Sequence, residues 1–163
     1  MLDIDVQRLA QLAEARRSVM ALRLDQTRRA GLELALRQLA ERSTVPGGVS
    51  CSFEGGGIET GLKPEHEHEL LRIAQEAVSN AVRHARPRTV RISMTDQPDP
   101  GQWELAVADD GVGMEQSPEL SARQGFGLSS MRQRAGAIGG EWQIESQPGR
   151  GTRVSVRMMK RAS

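Results

Sequence analysis

Apolar residues recur every three or four positions over residues 2 to about 24, where Leu2, Val6, Leu9, Leu12, Ala13, Val19 and Met20 share a stripe interrupted by Arg16. That period predicts an amphipathic helix, which in isolation would be marginal in water. A second helical pattern covers Gly31 to Arg42 and stops at Ser43, Pro46, Gly47 and Gly48. The period then drops to two. Val49, Cys51 and Phe53, then Val90, Ile92 and Met94, then Trp103, Leu105 and Val107 alternate with polar neighbours. So do Trp142 and Ile144, and Val154, Val156 and Met158. Such alternation predicts five half-buried strands.

Between the first two strands lies the strongest helical stretch, Pro64 to Ala85, with Leu70, Ile73, Ala74, Ala77, Val78, Ala81 and Ala85 on one face. Pro64 suits a first helical turn, and Pro87 forces Arg86 out of the α region. A further helix is predicted from about Leu128 to Ile138, ended by Gly139 and Gly140. Arg91, Glu104, Gln143, Arg153 and Arg157 occupy the face of the sheet opposite the apolar positions. One wet side and one dry side mean that helices cover only one face, which predicts a two-layer α+β sandwich and argues against a doubly wound parallel sheet. The stretches Asp96 to Gly101 and Pro148 to Gly151 carry turn chemistry between paired strands.

Composition narrows the partners. Lys plus Arg is 22 and Asp plus Glu is 21, a formal net charge of +1. So even a balance gives no electrostatic reason to expect nucleic acid or an anionic membrane as partner. Cys51 is the single cysteine, so neither an internal disulfide nor a cysteine-built zinc site can form. No apolar run reaches the ~20 residues of a bilayer crossing. The N-terminus carries Asp3 and Asp5 and lacks the apolar segment of a signal peptide, so a soluble, cytoplasmic piece is expected.

Three elements carry candidate chemistry. Glu76, Asn80 and His84 stand four apart on the long helix, aligned at the edge of its apolar stripe. Such a row is commonly just a solvated helix edge, but Asn80 also offers a hard oxygen that suits Mg²⁺. The second element is Asp109-Asp-Gly-Val-Gly-Met114, where the third strand stops. It reads as an acidic turn, or as a carboxylate placed to accept from an exocyclic amine beside closely approaching backbone. The third is Gly125-Phe-Gly-Leu128, expected to open a helix whose free N–H groups could seat phosphate. The sequence holds no P-loop, and no strand precedes Gly125 as a Rossmann fingerprint requires. His66 and His68 lie two apart at a helix start, on different faces, and Cys51 reads as a small core residue.

In this order the three elements resemble the N, G1 and G2 boxes of the GHKL ATPase superfamily, and Gly149-Arg-Gly-Thr152 resembles its closing Gly-Thr element. The resemblance implies a Bergerat ATP-binding fold, with a mixed, mainly antiparallel five-stranded sheet and helices on one face. It implies that Asn80 holds Mg²⁺, that Asp109 reads the adenine amine, and that Gly111 and Gly113 shape the base pocket. Gly125 and Gly127 would carry the phosphates, residues 115–124 would be a lid, His84, Leu128 and Thr152 would be further ATP contacts, and Glu76 is the candidate catalytic carboxylate.

Upstream, Glu14 to Arg23 resembles the end of the second dimerisation helix of NarX/DesK-like sensor histidine kinases, and Gly31-Leu-Glu-Leu-Ala-Leu36 the helix that follows it. Residues 1–25 are accordingly expected to end a dimerisation and phosphoacceptor helix, and residues 26–163 to form the ATP-binding catalytic domain. The implied activity is transfer of the ATP γ-phosphoryl group to a histidine outside this chain, for relay to a response regulator. The parent would be a homodimer and a sensor, anchored in a membrane or not. An anti-sigma-factor-type serine kinase and a non-catalytic ATP-dependent switch share the same boxes and stay open at this point.

Overall fold

The computed structural model describes residues 31–113 and 118–161. The stripe predicted for residues 2–24 and the boundary after residue 25 lie outside them. In chain order the elements are α1 (residues 31–43), β1 (Ser50–Gly55), α2 (Pro64–Asn80), a π-turn (Ala81–Ala85), β2 (Thr89–Asp96), β3 (Gln102–Asp109), α3 (Pro118–Ala137), β4 (Glu141–Ser146) and β5 (Thr152–Met159). All five strands form where the period of two places them. They make one open sheet in the order β1-β2-β3-β5-β4, with β1 parallel to β2 and every other pairing antiparallel.

The dry face holds one core. Val90, Ile92 and Met94 of β2, Trp103, Leu105 and Val107 of β3, and Val154, Val156 and Met158 of β5 pack against Leu70, Ile73, Ala77 and Val78 of α2. Leu32, Leu36 and Leu39 of α1 and Met131 and Ala135 of α3 complete it. The α2 stripe predicted from spacing is buried along its whole length, Ala81 and Ala85 included. Cys51 is buried too, and burial pushes its thiol above the ordinary value, as suits an inert core residue. Among the described residues no helix is long and apolar enough to cross a membrane.

The structure departs from the sequence reading in three places. The long helix is not α-helical to Ala85: its last turn widens into the π-turn, and Arg86 follows in the left-handed region at φ 45°. Pro87 denies Arg86 the α region, and a left-handed residue is a common way to close a helix. The wider turn leaves the Ala85 carbonyl to accept the Val112 N–H at 2.9 Å.

Helix α3 begins at Pro118, not near Leu128, so Gly125 and Gly127 lie inside a helix and do not open one; residues 118–124 of the expected lid are its first turns. The physical reason is propensity. Pro118 suits N1, and Glu, Leu, Ala, Arg and Gln in the next six positions are good helix formers, while a helical glycine costs only about 1 kcal/mol against alanine. The end of α3 is as expected, with the Gly140 N–H bonded back to the Ala135 carbonyl at 2.8 Å.

The wet face, finally, is dry at its centre. Glu104 and Ser155 are buried there, because β3 lies mid-sheet and Glu104 sits between Arg153 and Arg157, pairing with Arg153 and, at 3.3 Å, with Arg157. A buried carboxylate is tolerated only with such partners.

Candidate functional site

The C-terminal end of α2, the end of β3, the β4–β5 turn and α3 meet around a narrow cavity of 40 Å³. Asn80 and His84 reach it from α2 and the π-turn, where the four-residue spacing puts them on the line bordering the core. Asp109 reaches it because β3 stops there; Thr152 opens β5 beside it. Val107, Ile144 and Val154 supply an apolar floor, and Leu128 and Met131 of α3 the opposite side.

Asp109 is the charged group at the centre. Its Oδ1 accepts the Gly111 N–H at 2.8 Å. Burial pushes its carboxyl above the ordinary aspartate value; the N–H groups of Gly111 and Thr152 oppose that rise and the neighbouring Asp110 adds to it. A desolvated carboxylate held this way is a strong acceptor for an amine entering the cavity. The Thr152 hydroxyl is fixed against the Ser146 hydroxyl at 2.8 Å.

The backbone around Asp109 interlocks. The Gly149 N–H donates to the Val112 carbonyl at 2.7 Å, tying the β4–β5 turn to the loop after β3. A side chain on Gly151, whose φ is +79°, would overlap the Asp109 carbonyl, and one on Gly111 would overlap the Ala85 carbonyl. Gly113 lines the cavity with its back to Gln147. Gly111 thus serves the site from behind, as the point where the loop meets the end of α2.

On the far side α3 lies directly on Glu76 and Asn80. A Cβ on Gly127 would stand 2.7 Å from the Glu76 Oε1 and 3.2 Å from the Asn80 Nδ2. Glu76 does not line the cavity itself; it sits one turn earlier, 4.0 Å from the Arg83 guanidinium. Gly125 is within α3, two residues before Gly127. The structure therefore gathers Asn80, His84, Asp109, Gly113, Leu128 and Thr152 around one cavity, with Glu76, Gly111 and Gly127 immediately behind. His66 and His68 lie at the opposite end of α2.

For a cation, the Asn80 side-chain oxygen and the Glu76 carboxylate are neighbours. That is a sparse set of hard oxygens, which suits Mg²⁺ because it keeps several waters. Sequence reasoning missed Met131, Ile144 and Val107 as site residues, although their apolar spacing had already placed the two strand residues on the dry face. It also left Asp110 and Gly151 without roles.

Fold and site together define a class. Residues 65–162 match the histidine kinase-, DNA gyrase B- and HSP90-like ATPase family, and the chain belongs to it. Within that family the relatives are sensor kinases. The chain is 31% identical over 131 residues to an uncharacterised sensor-like histidine kinase of Chloroflexus aurantiacus, covering 77% of this chain and 22% of that protein. It is 38% identical over 103 residues to the signal transduction histidine-protein kinase/phosphatase UhpB of Salmonella typhimurium, covering 63% and 19%. It is 30% identical over 132 residues to the NarQ homologue of Haemophilus influenzae, covering 78% and 22%. The chain thus spans about a fifth of the length of these curated relatives. Among solved structures, the ATP binding domain of PrrB from Mycobacterium tuberculosis superposes with a TM-score of 0.60 at 24% identity, over 80% of this chain and 94% of that one. Full-length ShkA in complex with AMPPNP gives 0.60 at 21%, over 82% and 31%. Both likenesses speak to the fold, and they agree with the sandwich built above.

Proposed function

We propose that this chain binds ATP in the cavity between α2 and α3, as the ATP-binding catalytic part of a sensor histidine kinase. The observation that carries this reading is the placement of the half-buried Asp109 carboxylate over an apolar floor, with Asn80 and His84 on the facing helix. Asp109 accepts from the adenine amine, and Val107, Ile144 and Val154 take the ring. Guanine presents a carbonyl at that position, which the carboxylate repels, so the site selects adenine.

Asn80, with Glu76 behind it, is the proposed Mg²⁺ contact; bound there, the metal supplies charge neutralisation along the phosphates. Gly127 lets α3 approach Asn80 and Glu76 closely, and it and Gly125, two residues earlier on the same helix, are the proposed phosphate contacts. Glu76 is the proposed catalytic carboxylate.

Leu128 and Met131 border the cavity from α3, and these side chains are proposed to shift as the nucleotide enters. The phosphoryl group would pass to a histidine on a dimerisation domain of the parent kinase, and from there to a response regulator. That parent is proposed to be a homodimeric sensor with this domain on the cytoplasmic side. The serine-kinase and switch alternatives are not favoured, because the relatives above carry sensor-kinase names.

Isothermal titration with ATP in the presence and absence of Mg²⁺ tests the reading. Binding by the wild-type chain, with the Mg²⁺-dependent gain lost in Asn80→Ala at unchanged circular dichroism, is the expected result. No binding, or an Asn80→Ala chain with the full Mg²⁺ response, sinks it.

A further inference from the structure

We infer that Asp110 is a positioning residue, whose carboxylate holds the Asp109 side of the cavity in register with the end of α2. The inference deepens the ATP-binding reading and rests on the adenine role proposed for Asp109.

Three consecutive residues after β3 each make a tie. The Asp110 Oδ1 accepts the Arg88 N–H at 2.8 Å and the Thr89 N–H at 2.9 Å. Its own N–H returns a longer bond to the Thr89 carbonyl at 3.3 Å. Gly111 N–H goes to the Asp109 carboxylate at 2.8 Å, and Val112 N–H to the Ala85 carbonyl at 2.9 Å. Both ends of the corner between the π-turn and β2, Ala85 on one side and Arg88 and Thr89 on the other, are therefore bound to Val112 and Asp110.

The corner needs such a partner. Arg86 is in the left-handed region and Pro87 has no N–H, so the chain enters β2 with two successive donors, Arg88 and Thr89, turned toward the end of β3. The last rung of the β2–β3 ladder pairs Val90 with Asp109. Asp110 lies one residue beyond it, where a strand pair would ordinarily fray. One exposed side chain closes that end. Hydrogen bonds, foremost the one from the Thr89 backbone, hold its carboxyl below the ordinary aspartate value, so it is anionic at neutral pH.

The consequence falls on the cavity. His84 and Ala85 line it from one side of the tie, and Asp109 from the other. Loss of the Asp110 acceptor leaves only the backbone bonds of Val112 and Asp110 between corner and loop, and so loosens the distance between the adenine-reading carboxylate and the helix that faces it. Asp110 itself does not line the cavity.

The test compares Asp110→Ala with Asp110→Asn, which keeps an acceptor oxygen in the same place. Two readouts are taken: ATP affinity by calorimetry, and hydrogen exchange of the Thr89, Gly111 and Val112 amides by NMR without nucleotide. Asp110→Ala is expected to bind ATP about tenfold more weakly than wild type and to exchange those amides at least about tenfold faster, because both N–H bonds to its carboxylate are lost. Asp110→Asn is expected to restore both to within about threefold of wild type. Unchanged affinity, unchanged amide protection in Asp110→Ala, or equal losses in the two variants overturns the assignment. A wild-type chain that fails to bind ATP would count against the proposed function instead, and the amide readout would still decide whether Asp110 holds the loop.

Discussion

The two sides of the cavity are built from different materials. Around Asp109 the contacts run backbone to backbone: the Gly149 N–H on the Val112 carbonyl, the Val112 N–H on the Ala85 carbonyl, and Gly151 pressed against the carbonyl of Asp109 itself. Across from it, α3 meets α2 through side chains. Leu128 and Met131 lie over the apolar floor, and Gly127 faces the flexible end of Glu76. Packed backbone shifts only with the strands that carry it, whereas side-chain ends change rotamer at little expense. On the proposed function, the Asp109 side would fix which base is accepted and the α3 side would admit it.

Substitutions at glycines on the two sides break that contrast most directly. Gly151→Ala puts a Cβ into the Asp109 carbonyl at a left-handed φ, and should destabilise the domain by about 3 kcal/mol or more in urea unfolding, with loss of ATP binding. Gly149→Ala, at φ +80° but in open space, is the control and should cost only about 1–2 kcal/mol. Equal costs would mean that conformation, and not the interlocked backbone, decides both.

Next in size is Asp109→Asn, expected to weaken ATP by about 2 kcal/mol and to erode the preference over GTP, as competition titrations would show. The wild type should also lose ATP affinity in acid. Binding uses the ionised carboxylate, and burial has raised the folded carboxyl above 3.8, so the loss should set in at higher pH than an ordinary aspartate would give. The same raised value favours the protonated folded state. Ionised Asp109 therefore subtracts stability above its folded value, and that stability returns as pH falls through it. An affinity flat through that range would remove Asp109 from base recognition.

On the yielding side, Gly127→Ala gains about 1 kcal/mol of helix propensity and meets only side-chain ends, Glu76 at 2.7 Å and Asn80 at 3.2 Å. Unfolding stability should hold or rise slightly while ATP affinity falls, the reverse of the coupling at Gly151. Smallest is Arg86→Gly, which relieves a left-handed arginine at the corner and should stabilise by about 0.5–1 kcal/mol, with ATP affinity unchanged in the same titration.

The strands, their dry face and the α2 stripe were legible because each rests on a short, repeating pattern that burial enforces locally. Asn80, His84, Asp109 and Thr152 were legible through the spacing of the three boxes and the closing Gly-Thr element, and they converge on one cavity. The π-turn was not, because Ala81 to Ala85 fits an α-helical stripe equally well and widens only where Pro87 and the Val112 N–H act on it. The start of α3 was misplaced because glycine and polarity were weighed above the helix-forming residues that follow Pro118. Asp110 and the buried Glu104 belong to a third kind. Their partners stand more than twenty residues away in the chain, at Arg88, Thr89, Arg153 and Arg157, and no periodicity links them.

The one parallel pairing in the sheet has a bearing on how the domain assembles. The β2–β3 and β4–β5 hairpins close over turns of a few residues, but Ser50 meets Thr89 only after the chain has run through α2 and the π-turn. Closing a longer loop loses more chain entropy, and distant pairings form late. Strand β1 is therefore expected to join the sheet after the hairpins have closed. Asn80 and His84 lie on the segment that this late pairing closes. Hairpins formed alone would carry Asp109 and Thr152 without the wall that faces them.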